Sequence, residues 1–320
     1  PLPLWRSSCA ICGRRDKEGE GRATGSGGVV MMALLCPSAM ALVLLGGQRH
    51  GATATLRATP PRLAALDRVA VSVGDAASAA AFYEATLGLV ATADATTDDG
   101  RPRHLLSGGG GSLQLELREG GADGAAAGYS AEGGYRGLVA RVGNVAAAVA
   151  AARENGGTVL SDSATVEHGP SSKPEEGVDV VTAVTQATVA DPAGYPLLLF
   201  EAGEGEGGVL CAARCDVTAW KASEDWWQRR GLETLRWQAN LPNEASISVH
   251  LGDAAALPST GPCGPAAGDE AVLQLRYVYS APDVQQAGGL EALVVSSPGC
   301  GEEGVEEGKE PDGYPVVFRK

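Results

Sequence analysis

An internal repeat is the feature that most constrains how this chain can fold. In its first copy, the strand LDRVAVSV (residues 66–73) precedes an Ala-rich helix that ends in FYEATLGL (82–89). Two more strands are predicted at 104–107 and 112–118, with a further short one near Val90. Alternation of apolar and polar residues in the last of them is typical of a strand with one buried face. The unit is therefore strand, helix and three strands, or βαβββ.

The same order of elements recurs three more times. In the second copy the strands and the helix are predicted at 135–142, 145–154, 158–160, 182–190 and 196–201. The third copy is indicated by Gly231-Leu232, which matches Gly88-Leu89 at the end of the first helix, and by AVLQLRY (271–277), which matches SLQLELR (112–118). The fourth copy contains LEALVV and then EPDGYPVVF, which echoes DPAGYPLLLF in the second copy.

The fourth copy is incomplete in the sequence. Only the acidic, Gly-rich stretch SSPGCGEEGVEEGKE separates Val295 from Pro311, and charge runs of this kind are usually solvated loops. This leaves no room for the helix and two strands of the second copy. We predict an α+β fold of tandem βαβββ modules with a truncated fourth module. The expected domains are residues 63–203 and a second, degenerate and incomplete one at 207–320.

Residues 1–62 are expected to be a disordered leader that precedes the fold. It includes an almost unbroken apolar run at 29–47, and the Arg-, Ala- and Thr-rich residues after this run contain no acidic side chain before Asp67. This pattern favours a targeting segment for an organelle, such as a plastid, or for the secretory route. Pro37 and the glycine pair that ends the run disfavour a stable membrane span after processing. Without such processing, a cytoplasmic location is the alternative.

Charge and cysteine content exclude some function classes. The formal net charge of −14 and the lack of a basic stripe argue against nucleic-acid binding, which depends on Lys and Arg neutralising phosphates. Cys9 and Cys12 have the spacing of half a zinc site, but no second pair follows at the required distance. The seven cysteines, including Cys211 and Cys215, are therefore expected to be unpaired small residues.

The motifs FY…LGL after the first helix and DPxGY before the last strand of a copy resemble those of glyoxalase I and the vicinal oxygen chelate superfamily. The second-half echoes VLQLRYVY, GLEALVV and EPDGYPVVF are most similar to the two-domain, plant-type lactoylglutathione lyases. The resemblance implies modules that form half-barrels around one divalent metal, Zn or Ni. It also implies isomerisation of the hemithioacetal of methylglyoxal and glutathione, in which a glutamate ligand moves the proton and the metal stabilises the enediolate.

Carried over by this resemblance, the metal-ligand positions are mostly occupied by residues that cannot bind a metal. In the first predicted domain they fall on Arg68, Glu116, Gly137 and Leu198, and in the second on Ala212, Gln274, Ala292 and Val317. Only Glu116 retains a carboxylate, and Gln274 offers one weak amide oxygen. Because a divalent ion usually needs three or four protein ligands, we expect these two residues to be relics of a metal site.

The remaining site candidates are few. Glu116 is the one candidate for catalysis, but an inward-facing Arg68 would demand a carboxylate partner, which favours an Arg68–Glu116 ion pair over a relic ligand. Arg68 and Arg236, which matches a glutathione-contacting arginine of the family, are the candidates for substrate binding. Replacement ligands could come from three histidines that we expect instead to be solvated or in the core: His104, His168 and His250. The tryptophans at 220, 226, 227 and 237 are expected to fill the core of the third copy.

Three functions are consistent with these residues. The favoured one is a glyoxalase-like protein with a degenerate metal site that is non-catalytic or binds another small molecule, such as a glutathione adduct or an oxygenated metabolite. The alternative is an active lactoylglutathione lyase, which would require Zn or Ni. The third is a metal-free enzyme in which Glu116 acts as the acid–base group on a small oxygenated substrate.

Overall fold

The computed structural model describes the chain after residue 63. The described residues are 64–97, 100–108, 113–120, 128–172, 180–201, 208–239, 245–253, 271–279, 284, 289–297 and 306–319. The predicted leader, with its apolar run at 29–47, lies outside them, as do Cys9 and Cys12. Among the helices within these ranges, none has the length and apolar character needed to span a membrane.

The first two repeats both have the predicted βαβββ order. The first consists of β1 (Ala65–Val73), α1 (Ala76–Leu87), β2 (Val90–Thr96), β3 (Pro102–Ser107) and β4 (Gln114–Glu119). The second consists of β5 (Tyr135–Val142), α2 (Val145–Glu154), β6 (Thr158–Ser172), β7 (Val180–Ala190) and β8 (Pro196–Glu201). The strand β6 is much longer than the three residues that the sequence indicated, because it continues to pair with β7 beyond its first bulge.

The third repeat is complete and the fourth is shortened. The third consists of β9 (Val209–Asp216), α3 (Trp220–Gln228), β10 (Glu233–Ala239), β11 (Ser246–Gly252) and β12 (Val272–Val278). The fourth consists of β13 (Leu290–Ser296), β14 (Glu306–Lys309) and β15 (Pro315–Arg319). The α+β class, the repeated modules and the truncation of the last one are confirmed. The expectation that the acidic stretch held no strand was wrong, because part of it forms β14 and pairs antiparallel with β15.

The first helix begins and ends where its sequence dictates. Asp75 precedes it in an extended conformation and accepts a hydrogen bond from the Ser78 backbone N–H at 3.0 Å, which satisfies one of the unpaired donors of the first turn. Gly88 follows it at φ 69°, in the left-handed region that side chains disfavour, and its N–H donates to the Glu84 carbonyl. The helix can therefore stop and lead directly into β2.

The strands form two sheets, and each sheet combines one repeat from each half of the chain. The strands of the first and fourth repeats form a seven-stranded sheet in the order β14-β15-β13-β1-β4-β3-β2, here called the open sheet. The strands of the second and third repeats form a closed eight-stranded barrel in the order β10-β11-β12-β9-β5-β8-β7-β6. The grouping of ligand positions by consecutive repeats was therefore wrong, because β1 pairs with β13 and β5 pairs with β9.

The missing part of the fourth repeat explains why one sheet closes and the other does not. Strand for strand, β13, β15 and β14 take the places in the open sheet that β5, β8 and β7 take in the barrel. The barrel closes where β6 pairs with β10, through Trp237 opposite Ser172. The described part of the fourth repeat has no counterpart of β6, so β14 forms one edge of the open sheet and β2 forms the other.

Helices cover the outer faces of the sheets and bury an apolar core of Leu, Val and Ala side chains. Two of the three tryptophans of α3 are part of this core: Trp227 is fully buried and stacks edge-on against Trp226 at 4.8 Å between ring centroids. The expectation that the tryptophans fill the core of the third repeat is confirmed for Trp226 and Trp227, whereas Trp220 and Trp237 are only partly buried and pack against that core. Cys215 lies in the same core, and both it and Cys211 are buried free thiols.

The DPAGY turn before β8 connects the first two repeats. The Asp191 carboxylate accepts hydrogen bonds from the backbone N–H groups of Ala193 (2.9 Å) and Tyr195 (2.8 Å) and from the Tyr83 hydroxyl of α1 (3.1 Å). The Tyr195 hydroxyl donates to the Ser72 carbonyl at the end of β1. The motif therefore has a structural role: its aspartate stabilises the turn, and its tyrosine bonds to the first repeat.

The matching DGY turn before β15 connects the last two repeats in the same way. Asp312 accepts a hydrogen bond from the Ser223 hydroxyl of α3 at 3.0 Å, and Glu310 accepts one from the Asp312 N–H at 2.8 Å. The Tyr314 hydroxyl donates to the Asp216 carbonyl at the end of β9. These turns join the first repeat to the second and the third to the fourth, whereas the sheets join the first to the fourth and the second to the third.

The Asp191 turn generates a prediction about pH. Burial raises the pKa of Asp191 to about 6, although hydrogen bonds from Tyr195 and Tyr83 act in the opposite direction. Because the folded state then binds this proton more tightly than the unfolded state, the stability that protonation contributes is complete below about pH 3.8 and is lost as the pH rises through about 6. In the wild type, this group should lower the free energy of unfolding between pH 4 and pH 7 by on the order of 2 kcal/mol. We expect the decrease to be absent from Asp191→Asn when both proteins are unfolded in urea at the two pH values.

The control for this prediction is Asp162→Asn, which removes an exposed carboxylate paired with Arg153. It should leave the pH dependence as in the wild type, since surface pairs contribute little. A free-energy difference between the wild type and Asp191→Asn that is the same at both pH values would contradict the assignment.

Candidate functional site

One face of the open sheet brings together two of the predicted site residues, Arg68 and Glu116. Strand β1 lies between β4, to which it is parallel, and β13, to which it is antiparallel. Residues opposite one another on neighbouring strands share a face of the sheet. Arg68 is opposite Gln114 on one side and Val294 on the other, and the next row places Glu116 and Ala292 beside β1.

Glu116 is the centre of this face, and guanidinium groups occupy both of its oxygens. Its Oε2 accepts a hydrogen bond from Arg68 Nη1 at 2.8 Å, and its Oε1 accepts one from Arg118 Nε at 2.9 Å. Arg103 Nη1 lies 3.5 Å from the same Oε1. The Glu116 side chain is 1% exposed. The predicted ion pair between Arg68 and Glu116 is confirmed, and two further arginines strengthen it.

A second carboxylate extends the cluster. Glu291 on β13 receives two parallel hydrogen bonds from Arg101, at 2.7 and 3.0 Å, and one from Arg118 Nη1 at 3.0 Å. Arg118 therefore bridges Glu116 and Glu291. Hydrogen bonds from Arg101 to the Gly120 carbonyl and from Arg68 to the Gln114 side chain complete the arrangement. We call these four arginines and two glutamates the arginine network.

The arginines keep Glu116 ionised. Burial raises the pKa of the Glu116 carboxyl, but hydrogen bonds from Arg68 and Arg118 and their positive charge outweigh burial and lower the pKa below its ordinary value. A carboxylate with a depressed pKa is a weak base and is rarely protonated near neutral pH, so it is poorly suited to take up or deliver a proton during a reaction. The arrangement favours charge pairing and ligand positioning over acid–base chemistry.

The other metal-ligand positions on this face are apolar. Grouped as the sheet places them, the four positions are Arg68, Glu116, Ala292 and Val317. Ala292 lies in a small apolar cluster with Ala70 and Val294, and Val317 packs against that cluster. A divalent ion here would meet one carboxylate that two guanidinium groups already bind, one cation and two hydrocarbon side chains. These residues do not fit a metal.

The corresponding positions of the barrel fit a metal no better. Leu198 and Ala212 lie in an apolar cluster inside it. Gly137 has φ 89°, and a side chain there would collide with the Pro196 carbonyl oxygen, so this backbone cannot present a ligand at 137. Gln274 is buried, and no hydrogen-bond partner of its Oε1 lies within the described part of the chain. It supplies one amide oxygen. Over the described residues, no three His, Cys, Asp or Glu side chains are grouped closely enough to hold a metal ion.

Arg236 lies inside the barrel and is 3% exposed. Its Nε donates to His250 Nδ1 at 2.9 Å, and its Nη2 donates to the Gln238 side-chain oxygen at 3.2 Å. Because His250 Nδ1 accepts this bond, the ring proton of the neutral imidazole is on Nε2. His250 is buried within β11 and bonded to Arg236, which agrees with the expectation that it is a solvated or core histidine and not a metal ligand.

The other two histidines are also in strands. His104 is inside β3, opposite Leu117 of β4. His168 is in β6, and its side chain lies outside the described part of the chain.

Residues 65–198 match the Glyoxalase/Bleomycin resistance protein/Dioxygenase superfamily. The predicted resemblance to that superfamily is confirmed over these residues.

Among solved structures, the chain is similar to a variant of glyoxalase I from Zea mays, at 16% identity and a TM-score of 0.61 over 81% of this chain and 92% of that one. Glyoxalase I from Zea mays without that substitution matches at 15% identity and a TM-score of 0.59, over 80% of this chain and 92% of that one. At such identities the likeness is one of fold. No curated protein matches the sequence.

Part of the arginine network had a signal in the sequence and part had none. Alternation in SLQLELR places Gln114, Glu116 and Arg118 on one face, so a contact between Arg118 and Glu116 could be predicted from the sequence. Arg101 and Glu291 are 190 residues apart and meet only because the first and fourth repeats share a sheet. Local periodicity carries no information about that pairing.

The buried position of Glu116 generates a stability prediction. Glu116→Gln would leave Arg68 and Arg118 close together without the carboxylate that compensates them, so we expect the free energy of unfolding at pH 7 to fall by about 2–4 kcal/mol. Urea unfolding measures the loss. The matched control is Glu84→Gln on the exposed side of α1, which should change stability by less than about 0.5 kcal/mol. Equal effects of the two substitutions would show that Glu116 is not the structural centre of this face.

Proposed function

We propose that this chain is a small-molecule-binding protein of the glyoxalase superfamily that works without a metal ion, and that the face of the open sheet around Glu116 is its ligand site. The observation that carries the proposal is the state of Glu116. Both of its oxygens are bonded to guanidinium groups at 2.8 and 2.9 Å. The carboxylate that the family resemblance implied as a metal ligand serves instead as the anion of a salt-bridge cluster.

Competition for Glu116 disfavours metal binding at this face. A divalent ion would have to displace Arg68 and Arg118 from a buried carboxylate, and it would then stand beside their positive charges. Breaking a buried ion pair by taking away one partner is strongly unfavourable. The side chains at the remaining positions, Ala292 and Val317, have no atom that can bind the ion. A degenerate metal site is the interpretation that these contacts support.

The same contacts argue against lactoylglutathione lyase activity. That reaction needs a metal to stabilise an enediolate and a carboxylate base that moves a proton. Glu116 is held in its ionised form. In the open sheet, Val317 occupies the position where the family resemblance places the catalytic glutamate. Arg236, the candidate for glutathione contact, is buried in the barrel against His250 and Gln238. The fold likeness to glyoxalase I keeps the lyase as the alternative, with a glutathione adduct as its ligand.

This proposal predicts the metal content of the full-length protein. After expression with added zinc and nickel and dialysis against buffer, we expect well under one equivalent of either metal per chain by mass spectrometry, because three ligands are the usual minimum for a tight site. With methylglyoxal and glutathione as substrates, thioester absorbance should not rise above the uncatalysed rate.

Addition of Zn or Ni to the assay should leave this result unchanged. One tightly bound metal per chain, or thioester formation that Glu116→Gln abolishes, would refute the proposal and establish the lyase.

A further inference from the structure

We propose that the ligand of the open sheet is a small organic oxyanion, a carboxylate or phosphate attached to an apolar body, which binds to the arginine network with its charged group at Arg103 and Arg68. This inference rests on the proposed function, because it names the class of ligand for the same face.

The charge balance of the network favours an anion. Four guanidinium groups face two carboxylates, Glu116 and Glu291, which leaves two positive charges in excess among these six residues. The whole chain carries a net charge of −14, so this local excess runs against its overall composition. Positive charge concentrated on a partly buried surface attracts anions and holds them more strongly than an exposed charge would.

The layering of the network places the positive groups where a ligand can reach them. The carboxylates lie underneath, with side chains that are 1% exposed for Glu116 and 9% for Glu291. The guanidinium groups lie above them and are more exposed in every case. Arg103 is the most open, at 33%, and its contact with Glu116 is also the longest of the set, at 3.5 Å. It can therefore turn part of its fork towards an incoming anion at little cost.

Arg68 supplies a second, independent observation. Its Nε is buried and has no hydrogen-bond partner among the residues that the structure describes, although its two terminal nitrogens bond to Glu116 and Gln114. A buried donor without an acceptor costs about 1–3 kcal/mol. An oxyanion beside Arg68 would provide that acceptor, and planar guanidinium groups are well matched to the oxygens of carboxylate and phosphate.

The other side of Arg68 explains why an apolar body is expected. On β13, Val294 is directly opposite Arg68, and Ala292, Ala70 and Val317 form the rest of the apolar cluster on that side. Ala70, Ala292 and Val294 are buried, so a ligand whose charged end bonds to the arginines would contact this cluster through Val317, its partly exposed member. Small-molecule sites commonly have this combination of a few polar anchors and an apolar wall.

Calorimetric titration of the full-length protein, dialysed first against a chelator, tests the inference with four probes. Benzoate combines charge with an apolar ring, acetate and inorganic phosphate carry charge alone, and benzyl alcohol carries the ring alone. We expect benzoate to bind more tightly than acetate or phosphate, and benzyl alcohol not to bind. A higher salt concentration should weaken the binding of every anion. Phosphate binding more tightly than acetate would identify a phosphate ester as the charged group, and the reverse order a carboxylate.

Two substitutions locate the anion. Arg103→Gln should weaken benzoate binding at least tenfold, whereas Arg103→Lys, which keeps the charge and loses the fork, should weaken it less. Arg153→Gln is the matched control, because Arg153 is an exposed arginine of α2 that pairs with Asp162. It should bind benzoate as the wild type does. Unfolding curves for each variant identify any loss of binding that comes from loss of fold.

The outcomes separate this inference from the proposed function. If the protein holds no metal and has no lyase activity but binds none of the anions, the ligand class is wrong and the metal-free assignment stands. Benzoate binding that is unchanged in Arg103→Gln, or benzyl alcohol binding as tightly as benzoate, would also overturn the inference. Tight metal binding would overturn the proposed function even if anions bind to the chelated protein.

Discussion

The contact between Glu116 and the guanidinium groups of Arg68 and Arg118 is the interaction on which the character of this site depends. A carboxylate at this position can either help to hold a divalent ion or neutralise buried arginines, and it cannot do both. With an arginine at 68, the second arrangement is the one that leaves no buried charge uncompensated. The same contact keeps Glu116 ionised, joins β1 to β4 through side chains as well as backbone, and turns a position suited to cations into one suited to anions.

Sheet pairing determines which residues can reach Glu116. Because the first and fourth repeats share the open sheet, Glu116 lies in the same sheet as Ala292 and Val317. Gly137 and Leu198, of the adjacent repeat, belong to the barrel. The shortened fourth repeat also leaves this sheet without the strand that closes the barrel. Two sheets with the same strand order thus differ in accessibility: the barrel interior is filled by its own side chains, including Arg236 and His250, while the arginine network remains partly exposed.

The sequence predicts what depends on neighbouring residues and does not predict what depends on distant ones. The four repeats, the end of α1 at Gly88 and the one-sided alternation around Glu116 all follow from local spacing. The ion pair between Arg68 and Glu116 could be predicted as well, because both residues fall on inward positions of the same module. The contact of Glu291 with Arg101, the strand β14 and the bond between Arg236 and His250 could not, because each depends on which strands pair and in what register. Whether the site binds a metal or an anion depends on such long-range contacts.

The central claim is that Arg68 and Glu116 are energetically coupled, and a double-mutant cycle measures that coupling directly. The free energy of unfolding in urea would be determined for the wild type, Arg68→Met, Glu116→Gln and the protein with both substitutions. If the two side chains stabilise one another as a buried pair, the double variant should be more stable than the sum of the single effects implies, with a coupling of about 1–3 kcal/mol. Additive effects, with a coupling below about 0.5 kcal/mol, would mean that Glu116 is free to serve another partner and would contradict this account of the site.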